Sequence, residues 1–64
     1  MREYRVLVND ESDNPQVSRV TDDRNLFDRW WAKAETFAMN RGLYAAGQYR
    51  ENGNDWQTLV EFES

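Results

Sequence analysis

The dipeptide Asn52-Gly53 stands between two runs of alternating polarity, LYAAGQYRE and NDWQTLVEFE. Both central residues of a type I′ turn need positive φ, which Asn and Gly supply at least cost, so the pair predicts a hairpin and its register. Glu51 then faces Asn54, Arg50 faces Asp55, Tyr49 faces Trp56, Gly47 faces Thr58, Ala45 faces Val60 and Leu43 faces Phe62. The last four pairs share one apolar face. A three-residue loop would set Trp56, Thr58 and Val60 against Arg50, Gln48 and Ala46, so the hydrophobic pattern selects the same parity as the turn.

Earlier in the chain, EYRVLVN, residues 3–9, alternates with Tyr4, Val6 and Val8 on one face and Glu3, Arg5, Leu7 and Asn9 on the other. That is a strand with one buried face. DESDNPQ, residues 10–16, gathers turn formers and the only proline into a solvated loop. Its Asp10, Glu11 and Asp13 invite a calcium reading, and Asp10, Ser12 and Asn14 alternate as an EF-hand loop begins. Position six is Pro15 instead of Gly, however, and position twelve is Thr21 instead of Glu, so a turn is predicted and not a metal site. VSRVT, residues 17–21, is β-branched enough for a short returning strand, although its two valines do not alternate.

Thr21 is a suitable N-cap, with Asp22 and Asp23 in the first turn. From there to Arg41, Leu26, Phe27, Trp30, Trp31, Ala34, Phe37 and Ala38 recur at helical spacing, and Gly42 occupies the place of a left-handed C′ residue. With Leu26 at zero on a helical wheel, Trp30 falls near 40°, inside the apolar arc, and Trp31 near 140°, at its edge. Ala45 and Gly47, small residues on the inward sheet face, form the recess into which helix aromatics descend. Either both indoles are structural, or Trp31 stays half-exposed beside Met39 as an interaction border.

The predicted fold is α+β: a small antiparallel sheet of three strands, with residues 17–21 a candidate fourth, and one α-helix packed on one face. The order is β-(β)-α-β-β, with the first strand beside the last. Sixty-four residues suffice for a single domain, 1–64, with a modest core. No apolar run reaches bilayer-spanning length, and strand-like alternation follows Met1 where a signal peptide would carry its apolar core. A soluble cytoplasmic protein is expected.

Composition then narrows the chemistry. The chain has no histidine and no cysteine, which removes the usual proton shuttle, the common zinc and iron ligand sets and thiolate catalysis. Its serines lack a base and an elbow motif, and carboxylates on a one-layer sheet have nothing to shift their pKa values. The sequence therefore predicts no enzyme activity, no cofactor and no metal. A net charge of −4, with arginines interspersed among the acids, disfavours phosphate-backbone binding.

What remains is a surface. The outward sheet face is predicted to carry Arg5, Leu7, Tyr44, Gln48, Arg50 and Leu59 beside Ala46, a partly apolar patch with an arginine rim suited to a protein partner. Trp31 and Met39 form the second candidate border. In size and general plan the chain resembles phage-encoded acidic proteins that bind and inhibit host enzymes, a resemblance of architecture that assigns no residue. The predicted function is a non-enzymatic protein-binding module, a small regulator or inhibitor of a larger enzyme, such as one that processes nucleic acid. The alternatives are a single-stranded nucleic-acid-binding domain, on an open sheet bearing Tyr44 and two arginines, and a small homodimeric subunit.

Overall fold

The computed structural model describes residues 1–9 and 15–63. Asp10, Glu11, Ser12, Asp13 and Asn14, on which the calcium reading rested, lie outside the described residues. Strand β1 spans Arg2–Asn9, β2 Gln16–Val17, helix α1 Arg24–Arg41, β3 Tyr44–Glu51 and β4 Gln57–Phe62. All sheet neighbours are antiparallel, in the order β2-β1-β3-β4, and α1 packs on one face. The fold is thus α+β, as the pattern predicts. No described helix is long and apolar enough to cross a membrane.

The first strand does not lie beside the last. It pairs along its whole length with β3, from Arg2 opposite Glu51 to Asn9 opposite Tyr44. Side-chain chemistry favours this neighbour. Arg2 meets Glu51 at 2.6 Å, Arg50 meets Glu3 at 2.9 Å, and the Arg5 Nε–H donates to Gln48 Oε1 at 2.7 Å, so three of the first four cross-strand pairs are polar and complementary. The ladder runs on to Met1, whose carbonyl accepts from the Asn52 N–H at 3.4 Å.

Along the other side of β1, residues 16–21 form less strand than their composition suggests. Leu7 pairs with Val17 and Val8 with Gln16. The Ser18 N–H donates to the Val6 carbonyl at 2.8 Å, while Ser18 Oγ accepts the Val6 N–H at 2.9 Å. One extra residue then intervenes before an isolated bridge joins Thr21 to Tyr4. This slip explains why Val17 and Val20 fail to alternate, and both are exposed.

The bridge also moves the helix start. Thr21 is held at the sheet by two backbone hydrogen bonds with Tyr4, of 2.7 and 2.9 Å, and its Oγ1 accepts the Asp23 N–H at 3.0 Å, so it orders the residues ahead of the helix and does not cap it. Asp23 caps instead, its side chain accepting from the Asn25 and Leu26 N–H groups, and its Oδ1 satisfies two donors that would otherwise be orphaned. Asp22 precedes the helix, and no acidic residue lies in its first turn. The C-terminus follows expectation: Gly42 takes φ 68° and donates to the Ala38 carbonyl.

The buried centre of α1 is Phe27 and Ala38, 1% and 0% exposed. On the wheel these fall near 100° and 120°. The two tryptophans therefore straddle the buried line, Trp30 on the β2 side and Trp31 on the other, instead of one lying inside and one at the edge. Both are half-buried against the core of Tyr4, Val6 and Phe27. Phe37, farther round on the Trp30 side, remains 43% exposed and is covered in part by the Arg41 guanidinium, 4.4 Å from its ring centre.

Phe27 descends onto Gly47. A Cβ on that glycine would lie 2.6 Å from Phe27 Cζ and 2.8 Å from Val60 Cγ2. The Tyr4 ring packs 5.0 Å from Phe27, centre to centre, and closes the contact from β1. The inward recess is therefore real, and absence of a side chain is what creates it.

The β3–β4 hairpin keeps the predicted turn and changes the predicted register. Asn52 and Gly53 have φ of 51° and 78°, and the Asn54 N–H donates to the Glu51 carbonyl at 2.9 Å, as a type I′ turn requires. Beyond it, Tyr49 faces Gln57 and Gln48 faces Thr58, one residue out of step. After a bulge, Gly47 faces Val60 and Ala45 faces Phe62, two residues out of step. Two slips restore the parity of Val60 and Phe62 while reversing that of Trp56 and Thr58. Leu59 is the extra residue of the bulge, and it joins Val60 in packing against the core instead of pointing outward.

Gly47→Ala is expected to destabilise the fold by about 1–3 kcal/mol through overpacking. In a Phe27→Leu background the same change should cost measurably less, because the opposing ring edge has gone. Urea denaturation of the four proteins checks this; equal costs in both backgrounds would show that Phe27 is not what the Cβ meets.

Candidate functional site

Strand alternation places Glu3, Arg5, Leu7 and Asn9 of β1 on the face away from α1, opposite Arg50, Gln48, Ala46 and Tyr44 of β3. Glu61 and Thr58 of β4 extend the row, opposite Ala46 and Gln48. Five predicted contact residues, Arg5, Leu7, Tyr44, Gln48 and Arg50, thus share this outer face. Ala46 lies at its centre and is only 1% exposed, although no second layer covers it.

The other three candidates lie elsewhere. Leu59 belongs to the core side of the sheet, for the bulge reason given above. Trp31 and Met39 are on α1, across the sheet from the outer face. Met39 is 58% exposed, whereas Trp31 packs half-buried against the core, so the two do not form one patch with the sheet residues.

Trp56 takes the place that Leu59 leaves. Its ring is 4.2 Å from the Arg5 guanidinium carbon and 4.6 Å from that of Arg50, centre to carbon. Cation–π contact of this kind is worth about 0.5–1 kcal/mol at an exposed site and more where water is excluded. The two arginines are oriented by different partners. Arg50 donates through Nε to Glu3 at 2.9 Å, whereas Arg5 donates to the neutral Gln48. Burial, and then the Arg50 charge, hold the Arg5 guanidinium below its ordinary pKa. Simple hairpin parity hides Trp56; the available hint is that Gly53, Asn54 and Asp55 supply turn formers enough for the chain to slip before the strand resumes.

At the far end of the face the Tyr44 hydroxyl donates to Glu61 Oε2 at 2.8 Å. This bond, burial and the carboxylates of Glu61 and Glu63 all raise the phenol pKa. On the helix side, a groove of about 370 Å³ runs between α1 and β2, lined by Val8, Val17, Lys33, Ala34 and Phe37 among others. It carries little converging polar chemistry. Among the described residues no cluster of three acidic side chains could hold a metal ion.

The outer face can therefore offer a phenol, an aliphatic patch and two oriented guanidiniums carried on β1 and β3, and an indole from the connection just before β4. A folded-state pKa raised above the unfolded value means the Tyr44–Glu61 bond stabilises fully below the ordinary phenol pKa and is lost as pH rises through the raised one. The stability difference between the native chain and Tyr44→Phe should accordingly shrink across that alkaline window, measured as thermal midpoints at successive pH values; a constant difference would refute the linkage.

No family model, curated protein or solved structure matches this chain, so the geometry of this face is what a functional reading rests on.

Proposed function

We propose that the chain is a non-enzymatic protein-binding module that regulates or inhibits a larger protein, and that it docks through the outer face of its sheet. The observation that carries this reading is the Arg5–Trp56–Arg50 stack beside Leu7 and Tyr44. Trp, Tyr and Arg are the residues that most often dominate interface energetics, and they do so at pre-ordered, partly desolvated positions. Arg5 and Arg50 stand on strands with their Nε donors already engaged and their guanidiniums against the indole, so they lose little freedom on docking. Arginines stacked on an indole at an open sheet face suit recognition.

Attachment of a single nucleic-acid strand is the second reading, and Trp56 strengthens it by joining Tyr44 on one face. It ranks lower for two reasons. The indole is engaged by two arginines and the phenol by a carboxylate, so neither is a bare platform for a base. A net charge of −4 also opposes a polyanion.

An immobilised chain should capture a protein partner from lysate of its native host, and Trp56→Ala or Tyr44→Ala should weaken capture by about 2 kcal/mol or more, roughly thirtyfold in Kd. Met39→Ala, on the helix side, should leave it unchanged. Capture indifferent to the sheet variants would reject the face, and binding of an oligothymidylate at low salt would favour the second reading.

A further inference from the structure

We infer that the Arg5–Trp56–Arg50 stack is a receptor for a single carboxylate, so that the partner presents an acidic side chain within an extended peptide segment. The inference rests on the protein-binding reading of the outer face and adds the chemistry of what that face accepts.

Charge accounting on the face leads there. Arg50 has Glu3 as its counter-ion at 2.9 Å. Among the described residues no carboxylate lies within salt-bridge distance of Arg5, whose Nε is committed to neutral Gln48. One guanidinium charge is therefore unmatched, next to a second guanidinium that repels it. A carboxylate at the free edge of Arg5 would relieve that repulsion and accept a bidentate pair of hydrogen bonds, geometry that the planar fork suits. The indole 4.2 Å from the guanidinium carbon, with the Nε bond to Gln48, restricts the fork before any ligand arrives. The depressed pKa of Arg5, caused by burial and then by Arg50, agrees with a cation lacking a counter-ion.

The same accounting favours one carboxylate over a run of phosphates. Of the two guanidiniums on this face only that of Arg5 has no carboxylate within salt-bridge distance among the described residues, and Glu3 and Glu61 flank the site at either end of the face. A polyanion would meet those carboxylates in turn, whereas an isolated acid would not. Next along the strands, roughly 7 Å from Arg5 at about 3.4 Å of rise per residue, lie Leu7 and its cross-strand neighbour Ala46. An extended peptide carrying an acid and, two residues away, an apolar side chain has the matching spacing.

The test is selection of a displayed library of random peptides on the full chain, followed by titration of the enriched peptides. The expected result is enrichment of an acidic position whose replacement by the corresponding amide weakens binding tenfold or more. That penalty should vanish in Arg5→Gln and persist in Lys33→Gln, a change on the helix side. Arg5→Lys should recover only part of it, because an ammonium lacks the fork, and thermal midpoints of all variants confirm that they fold. Peptides that need Trp56 but show no acidic position, or an amide penalty that survives in Arg5→Gln, would overturn the carboxylate receptor and leave the protein-binding reading standing. Absence of any peptide that depends on Trp56, or its displacement by an oligothymidylate that itself binds more tightly, would overturn both.

Discussion

The fold depends on one aromatic ring seated where a side chain is missing. Phe27 fills the space above Gly47, with Val60 on one side and Tyr4 on the other, and nearly every other placement follows from that contact. It fixes the height of α1 above the sheet. It sets Ala38, eleven positions later, on the same buried line, and it leaves Trp30 and Trp31 as matching flanks that seal the layer from both sides. Loss of a buried Phe side chain costs about 3–5 kcal/mol in typical cores, against about 0–1 kcal/mol for an exposed ion pair. The packing decides the architecture, and the charged ladder between β1 and β3 chooses among neighbours.

That same contact accounts for the irregular path of β4. Val60 must lie beside Gly47 to complete the wall around Phe27, yet the turn at Asn52-Gly53 would place Thr58 there. The strand reaches the better partner by slipping twice. Leu59 enters the apolar layer as a result, and Trp56 is delivered to the opposite surface, where Arg5 and Arg50 receive it. A functional surface thus arises as the reverse side of a packing solution.

Local chemistry was legible in the sequence wherever a single residue type dictates it. Gly42 ended the helix, Asn52-Gly53 made the turn, alternation of Tyr4, Val6 and Val8 set the face of β1, and Ala45 with Gly47 marked the recess. What stayed hidden depends on competition between distant groups. Thr21 and Asp23 are both good caps, and only the bridge to Tyr4 decides between them. By hydrophobicity β1 would fit beside either β3 or β4, and the ordering of Arg2, Glu3 and Arg5 against Gln48, Arg50 and Glu51 favours β3. Most of the outer face was readable because β1 and β3 are regular; Trp56 and Leu59 were not, because a one-residue slip between the turn and β4 and then a bulge reverse parity without altering composition.

The double slip also shapes how this molecule behaves in a crowd of its own kind. β4 is the long open border of the sheet, and a straight border would offer a repeating template of amide and carbonyl groups to any passing strand. The bulge at Leu59, within so short a segment, breaks that repeat, and Glu61 and Glu63 add like charge to it. The opposite border is only two residues long at β2. Margins so short, kinked and charged oppose strand-on-strand polymerisation without an extra layer to guard them.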